Sequence, residues 1–203
     1  KNALNGEQRL ATEKSKDLKL IKGLKDLNKA QLEDVTNKVN SANTLTELSQ
    51  LTQSTLELND KMKLLRDKLK TLVNPVKASL NYRNADYNLK RQFNKALKEA
   101  KGVLNKNSGT NVNINDIQHL LTQIDNAKDQ LNGERRLKEH QQKSEVFIIK
   151  ELDILNNAQK AAIINQIRAS KDIKIINQIV DNAIELNDAM QGLKEHVAQL
   201  TET

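Results

Sequence analysis

Three histidines and many carboxylates are the side chains that could support acid–base or metal chemistry in this chain, because cysteine is absent. His119, His140 and His196 fall on three different predicted helices, without the HExxH spacing of zinc peptidases and without cysteine partners. Adjacent carboxylates such as Glu33 and Asp34 occur, but the pattern implies no concave pocket that would shift their pKa values. The sequence therefore predicts no enzyme, no cofactor and no metal site, and it leaves any ligand-binding residues unknown.

The composition is that of a helical protein. The 203 residues include two Phe, two Tyr, one Pro and six Gly, with no Trp. No window shows sustained alternation of β-branched or aromatic residues, whereas apolar residues recur at three- and four-residue steps. A hydrophobic content of 37% suffices for narrow helical seams but not for one thick core. We expect an all-α protein made of several small domains.

The net charge of +7 would allow attraction to nucleic acid, to anionic cell-wall polymers or to lipid headgroups. Lysines such as Lys16 and Lys19 are interleaved with acidic residues such as Asp17, a pattern typical of a solvated helix face. Aromatic side chains on which bases could stack are scarce. We therefore expect no specific nucleic-acid partner, and a cell-wall polymer stays an open alternative.

The chain repeats itself. The motif Leu4–Glu7 (LNGE) returns as Leu131–Glu134, which is a separation of 127 residues from 4 to 131. The motif Glu57–Asp60 (ELND) returns as Glu185–Asp188, a separation of 128 from 57 to 185. A long fixed period predicts an array of packed modules, read here as one unit, a different unit and then the first unit again.

One residue must be inserted between the two copies. Pairing Leu18 with Val146 and Ile21 with Ile149 already gives a separation of 128. This pairing places the insertion between Leu10 and Leu18, opposite the polar stretch 138–145 of the second copy. We expect that stretch to be a junction between packed units.

The repeated unit is predicted to be a three-helix bundle, because two long helices and a short one can bury their apolar stripes only against each other. Thr44 and Glu47 fit a capping box at the start of the third helix. The predicted helices are 7–27, 30–41 and a long one from about 45 in the first copy, and 134–155, 158–169 and 172–200 in the second. The third helices carry equivalent seams that are predicted to be core: Leu58, Met62, Leu65, Leu69 and Leu72, then Leu186, Met190, Leu193, Val197 and Leu200.

The middle unit follows Pro75, where we expect a kink or a new first turn and a helix over 75–83. Asp86 is a plausible N-cap for a helix over 87–104. A last helix starting at 113–115 is expected to continue through Gly133 into the second bundle, because a glycine costs a helix only about 1 kcal/mol relative to Ala. Its apolar residues, and those of the preceding helix, are predicted to point inward: Leu89, Phe93, Ala96, Leu97, Ala100, Leu104, Ile114, Ile117, Leu121, Ile124 and Leu131.

The middle unit resembles a FIVAR module in the motifs Tyr82–Asp86 (YRNAD), Phe93–Leu97 (FNKAL) and Leu131–Gly133 (LNG). The flanking units resemble GA modules, a three-helix family that includes bacterial albumin-binding domains, in Asn156–Gln159 (NNAQ) and Leu186–Met190 (LNDAM). The resemblance implies a GA-like bundle over 1–74, a FIVAR-like module over 75–133 and a second GA-like bundle over 134–203.

Alternation of these modules is similar to that in giant staphylococcal surface proteins. It implies a fibrous protein of the bacterial cell surface that acts as a spacer, binds extracellular matrix such as fibronectin and supports envelope integrity, with its membrane anchor outside this sequence. Serum albumin is the alternative partner. Albumin-binding GA modules have an aromatic-containing apolar patch near the second helix, and the stretches 28–33 and 156–161 contain no aromatic residue. We expect the chain itself to be monomeric.

The predicted array is an elongated rod of bundles joined by shared helices. Three bundles in line, with helices of ~23 residues and ~35 Å, would span ~100 Å. A compact chain of this length would have a radius of gyration of ~17 Å. Small-angle X-ray scattering is expected to give a clearly larger radius, and a value near ~17 Å would contradict the rod.

Overall fold

A computed structural model describes residues 2–201, with side chains from residue 5 onward. Over these residues the regular secondary structure is helical, which confirms the all-α prediction. In chain order the helices are α1 Asn2–Lys22, α2 Lys29–Ser41, α3 Leu45–Ala78, α4 Leu80–Arg83, α5 Tyr87–Leu104, α6 Ile114–Asp129, α7 Gly133–Glu151, α8 Asn157–Ala169 and α9 Ile173–Thr201.

The chain forms two compact units, each containing one copy of the repeated bundle. Unit 1 combines Lys1–Pro75 with Arg91–Gln130, and unit 2 combines Val76–Lys90 with Leu131–Thr203. The divisions therefore fall inside α3, inside α5 and directly after α6.

The first bundle, in unit 1, packs α1, α2 and the beginning of α3. Its core contains Ile21 of α1, Val35 and Val39 of α2, and Leu48 of α3. The helix α2 begins with a capping box, in which the side chain of Asn28 accepts from the amide of the third helical residue and that residue's side chain accepts in return. These features confirm the predicted three-helix arrangement of the first copy.

The second bundle, in unit 2, packs α7, α8 and α9 in the same way. Its core contains Ile148 of α7, Ile163 and Ile167 of α8, and Ile176 of α9. Leu80 of the short helix α4 packs against this core. The core of the second bundle is therefore also in contact with α4, which lies outside the repeated unit.

The first helix of each bundle ends earlier than predicted. The helix α1 ends at Lys22 and α7 ends at Glu151, before the predicted ends at Leu27 and Leu155. Both leucines are buried after the chain has turned. The turn is fixed by an asparagine of the third helix, because Asn59 Oδ1 accepts from the Asp26 amide at 3.0 Å and Asn187 Oδ1 accepts from the Ile154 amide at 3.2 Å.

The predicted position of the inserted residue is wrong. The helix α7 runs without a break through the stretch 138–145. Ile148, 127 residues after Ile21, is fully buried like Ile21, whereas Val146 and Ile149 are about half exposed. The register of 127 thus holds to the end of the first helix, and the extra residue lies in the turn that follows, where it moves no core side chain.

Pro75 lies inside α3, so of the two predicted alternatives a new first turn at this residue is wrong. The helix continues through Pro75 to Ala78. Ser79 then adopts an extended backbone, and its hydroxyl accepts a hydrogen bond from the Tyr82 amide at 3.1 Å. The N-cap that restarts the chain as α4 is therefore Ser79, four residues beyond the proline.

The expected continuous helix across Gly133 is also wrong. The helix α6 ends at Asp129 and α7 begins at Gly133. Gly133 lies directly against the backbone of α4, since a Cβ atom there would lie 2.6 Å from the Leu80 oxygen and the Ala85 nitrogen and would also collide with the Asn81 oxygen. This close approach needs a bend before Gly133, and it outweighs the local preference for an uninterrupted helix.

The seam of the second copy departs from its prediction as well. Met62 and Leu65 of α3 are fully buried, as predicted. Their counterparts in α9 are accessible: Met190 is only partly buried, and Leu193 has 56% of its surface exposed. Over the described residues, therefore, the two copies carry the same stripe but only the first covers it.

The glycine contact yields a matched pair of substitutions. We expect Gly133→Ala to lower the free energy of unfolding by about 1–3 kcal/mol, because the new methyl group meets backbone atoms. Gly6 is the repeat counterpart and has no neighbour that a Cβ would meet within 4 Å. Gly6→Ala should instead be neutral or stabilising by up to about 1 kcal/mol. Urea unfolding followed by circular dichroism checks both, and equal effects at the two positions would contradict the role of the contact.

Candidate functional site

The most highly organised polar site in unit 1 lies where the start of α2 meets the segment 103–113. Asn28 is completely buried there. Its Nδ2 donates to the Val103 oxygen at 3.0 Å and to the Thr110 oxygen at 2.9 Å, while its Oδ1 accepts from the Gln31 amide at 2.9 Å. One amide side chain thus caps a helix and also binds two main-chain carbonyls of a distant segment.

Gln31 completes this site. Its Oε1 accepts from the Asn28 amide at 3.0 Å, and its Nε2 donates to the Val112 oxygen at 3.0 Å. The Lys29 amide donates to the Lys106 oxygen at 2.8 Å. Because buried amides are costly when unpaired, this set of bonds fixes how the segment lies on α2. We call Asn28, Gln31 and segment 103–113 the amide joint.

Gly109 is required by the amide joint for steric reasons. A Cβ atom there would lie 2.5 Å from the Asn105 oxygen and 2.6 Å from Asn28 Nδ2. The obstacle at Asn105 is backbone and could not move aside. The loop 105–111, between α5 and α6, therefore packs closely against Asn28 at the start of α2.

Lys106 lies across the turn that follows α1. Its ammonium group donates to the Leu27 oxygen at 3.0 Å and also to the Lys25 oxygen. Burial lowers the pKa of Lys106, and the nearby positive charge of Arg66 lowers it further. Lys25 and Leu27 lie beyond the end of α1, where main-chain carbonyls have no hydrogen-bond donor from the helix. The ammonium group of Lys106 supplies that donor.

The helix α6 runs parallel to the second half of α3 in unit 1. Lys61 donates to Gln118 Oε1 at 3.5 Å, and Lys68 pairs with Asp125 at 2.6 Å. The apolar side chains of this part of unit 1 are buried: Met62, Leu65, Leu69, Phe93, Ala96, Leu97, Ala100, Val103, Ile117, Leu121 and Ile124. Val103 was not predicted to be core, and the predicted Leu89 and Leu104 are only partly buried.

Unit 2 contains a second polar site, built on Asn84. This side chain is buried, its Nδ2 donates to the Lys171 oxygen at 3.0 Å, and its Oδ1 accepts from the Ile173 amide at 3.0 Å. Asn84 therefore supplies the first turn of α9 with a partner from outside the bundle.

Asp86, a predicted N-cap, lies directly before α5 and contributes to the same site in unit 2. Its carboxylate accepts from Asn132 Nδ2 at 2.6 Å and pairs with Arg136 Nε at 3.0 Å. Its amide donates to Asn132 Oδ1 at 3.1 Å, and Arg136 also donates to the Asn84 oxygen at 2.7 Å. The repeated Asn-Gly motif is thus part of a contact with the α4–α5 turn.

The three histidines are not brought together into a site. His119 and His196 are exposed, and His140 is partly exposed with its Nε2 2.6 Å from Asn177 Oδ1. No group of three or more His, Cys, Asp or Glu residues suited to a metal ion occurs among the described residues. No helix in the described part of the chain is long and apolar enough to cross a membrane.

The exposed faces of α2 and α8, the second helices of the two bundles, are the surfaces that a protein ligand such as serum albumin would contact. The exposed face of α2 carries Glu33, Asn37 and Lys38, and that of α8 carries Ala161 and Arg168. Neither face has an aromatic side chain that could serve as an anchor.

The residues of the two polar sites were not predicted as functional from the sequence. A signal was present, because the pair Asn28 and Gln31 recurs as Asn156 and Gln159, and each pair forms a capping box. A capping box alone accounts for an asparagine and a glutamine at this spacing. The sequence pattern therefore gives no sign of the further hydrogen bonds that the side-chain NH₂ groups of Asn28 and Gln31 donate.

Comparison with known proteins places these features in a family. The GA module model matches residues 7–61 and 134–189, and the FIVAR domain model matches residues 61–132. The chain therefore belongs to the GA module family, with a FIVAR domain between its two GA modules.

Its relatives are giant staphylococcal proteins. The chain is 33% identical, over all 203 residues, to the extracellular matrix-binding protein ebh of Staphylococcus aureus strain MW2, and it spans about 2% of that protein's length. A crystal structure of an EbhA domain from S. aureus matches with a TM-score of 0.81 and 24% identity, covering 90% of this chain and 74% of that one.

A further structure comes from a study of adherence to fibronectin by Staphylococcus epidermidis, mediated by the extracellular matrix-binding protein Embp. It matches with a TM-score of 0.56 and 21% identity, covering 62% of this chain and 98% of that one. These two likenesses support the helical fold.

The amide joint gives a second matched pair of substitutions. Asn28→Asp keeps the oxygen that caps α2 but replaces the Nδ2 donor with an oxygen facing two carbonyls. We expect it to lower the free energy of unfolding by about 3 kcal/mol or more at neutral pH. Asn156→Asp changes an accessible cap and should stay within about 0.5 kcal/mol of the parent chain. Urea unfolding of both variants checks the difference, and a similar cost at both positions would show that Asn28 acts only as a cap.

Proposed function

We propose that this chain is a segment of a bacterial cell-surface repeat protein in which GA and FIVAR modules act as spacers and as weak adhesive units for extracellular matrix, fibronectin in particular. The names of the related proteins support this proposal, because they refer to matrix binding and, in one case, to adherence to fibronectin. The module boundaries that go with it are 1–74, 75–133 and 134–203. Location at the cell wall and a role in envelope integrity are part of the same proposal.

The observation that carries the proposal is the repetition of one bundle with a distinct module between its copies. Repeated modules multiply a weak interaction, since linking two binding sites makes the second binding event effectively intramolecular. The described residues offer no metal cluster, and the carboxylate of Asp86 is engaged in an ion pair with Arg136 and a hydrogen bond with Asn132. Mechanical linkage and repeated surface contact need no chemical step.

Serum albumin is the second candidate partner, favoured by the GA module match. Against it stands the composition of α8, whose accessible face offers Ala161, Ala162 and Arg168 rather than an aromatic anchor. A small, partly apolar face of this kind would support at most weak binding.

The test is surface plasmon resonance of this chain, and of a longer tandem chain, on immobilised fibronectin and on immobilised serum albumin across a salt series. We expect weak binding of fibronectin by the single segment and a much slower dissociation of the tandem chain, because avidity grows with the number of modules. Binding that falls steeply with added salt would point instead to nonspecific attraction of a chain with net charge +7.

The remaining outcomes decide between the candidates. Saturable binding of albumin alone would replace fibronectin with albumin, and Ala161→Glu should then weaken it. If neither chain binds to either surface, the adhesive part of the proposal is wrong and the spacer role is left.

A further inference from the structure

An open groove of about 600 Å³ borders the turn that follows α1 in unit 1. Leu27 and Leu32 contribute apolar surface to it. Three lysines line it from three different segments: Lys22 at the end of α1, Lys29 at the start of α2, and Lys106 in the loop after α5. All three are exposed to solvent. Like charges that converge on one concave surface create a positive potential there, which attracts anions.

Few carboxylates oppose this charge. Asp26, in the same turn, is already paired with Arg66 of α3. Among the described residues that line the groove, Glu33 is the one carboxylate, and its Oε1 lies 3.8 Å from the ammonium group of Lys29. At that distance the two exposed side chains form only a weak pair. The groove therefore keeps a net positive charge.

Lys106 is held in place beside the turn. Its ammonium group donates to the main-chain oxygens of Lys25 and Leu27. An ammonium group has three N–H donors, so one remains for a ligand. Burial lowers the pKa of Lys106, the positive charge of Arg66 lowers it further, and a bound anion would offset the second effect. Because this ammonium group is positioned in advance, less conformational entropy is lost when a ligand binds.

The second bundle does not carry the same lysines. Ile149 stands at the position of Lys22, 127 residues later, and Asn157 stands at the position of Lys29, 128 residues later. The second bundle nevertheless has the same three-helix arrangement. The fold of the repeated unit therefore does not require lysine at these positions, and their charge is available for binding.

The lining suits phosphate groups that are joined by short aliphatic spacers. Lysine ammonium groups bind phosphate as point charges. Thr36, Asn37 and Asn107 add a hydroxyl group and two amide groups that can donate to the remaining phosphate oxygens. None of the described residues that line the groove is aromatic, so bases have no platform on which to stack. The apolar surface of Leu27 and Leu32 accommodates the carbon chain of a polyol.

We propose that the groove lined by Lys22, Lys29 and Lys106, which we call the lysine groove, binds a polyol-phosphate polymer of the bacterial cell wall. The phosphate groups pair with the lysines, and the polyol lies against the two leucines. The inference rests on the proposed location at the cell wall. It assigns this surface to a polymer of the bacterium itself rather than to a protein of the host matrix.

The test is a titration of the whole chain with a poly(glycerol phosphate) oligomer, followed by two-dimensional NMR of the backbone amides. We expect the largest shifts over 22–37 and 105–107. The affinity should fall as salt is added, because binding releases the counterions of the polymer. Shifts centred on the second bundle, or spread evenly over the exposed lysines of the chain, would overturn the proposal.

A matched pair of double variants separates the groove from the net charge of the chain. Lys22→Gln with Lys29→Gln should weaken binding by about tenfold or more and should make its salt dependence shallower, by about one counterion for each lysine. Lys150→Gln with Lys174→Gln removes the same charge from exposed positions of the second bundle and should change the affinity by no more than about twofold. An equal loss in both would reduce the interaction to nonspecific attraction and overturn the proposal.

Added and removed negative charge gives a second comparison. Asn107→Asp places a carboxylate in the groove and should abolish binding, whereas Ser108→Asp, at the next position of the same loop but outside the lining, should have a much smaller effect. Glu33→Gln should strengthen binding, because it removes the carboxylate from the lining. All three side chains are exposed, so the melting temperature should stay unchanged. Equal effects of the two aspartates would contradict the groove.

A sulfated glycan and a membrane surface are the competing ligands. A heparin oligosaccharide that binds to the same residues more tightly than the phosphate oligomer would overturn the proposal. Binding to phosphatidylglycerol vesicles without binding to the soluble oligomer would overturn it as well, in favour of lipid headgroups. None of these probes contains a host protein, so their failure would leave the proposed binding of fibronectin to be decided by its own measurement.

Discussion

The structure depends on one constraint, which is that a single helix must bury a narrow apolar stripe against two different sets of neighbours. The first half of α3 places Leu48 in the core of the first bundle, and the second half places Met62 and Leu65 in the part of unit 1 that contains α5 and α6. Because the helix is uninterrupted between them, the two sets are held in a fixed register. Loss of either set would expose half of the stripe to water.

Asparagine side chains align the modules through the backbone. Asn28 and Asn84 are both buried, and each binds main-chain atoms on an element distant in sequence. A carboxamide suits this task because it offers a donor and an acceptor without a charge that burial would penalise. Apolar packing supplies most of the stability. The buried amides favour the one arrangement of the helices in which all of their hydrogen bonds are formed.

Much of the fold was predictable, because helical periodicity and capping residues are local properties. The bounds Tyr87–Leu104 of α5 were predicted without error, and Met62 and Leu65 of the predicted seam of α3 are fully buried. The break before Gly133 was not predictable from the local cost of a glycine, since its cause is the backbone of α4, which is remote in sequence. Leu193 was predicted to be core but is exposed, for a related reason. An apolar pattern shows that a helix face is suited to burial, and it does not show which element buries it. The amide joint was not predictable, because the pair Asn28 and Gln31 is already explained by a capping box.

The bonds of Asn28 and Gln31 end on the carbonyls of Val103, Thr110 and Val112 rather than on side chains. Every amino acid carries such a carbonyl, so most positions of the connecting loop are free to change during evolution as long as its path and Gly109 are kept. A long gene built from such units can accumulate substitutions, and can vary its exposed surface from one unit to the next, without losing the ability to assemble. The chain and the S. aureus protein, which are 33% identical over 203 residues, differ at about two thirds of the aligned positions.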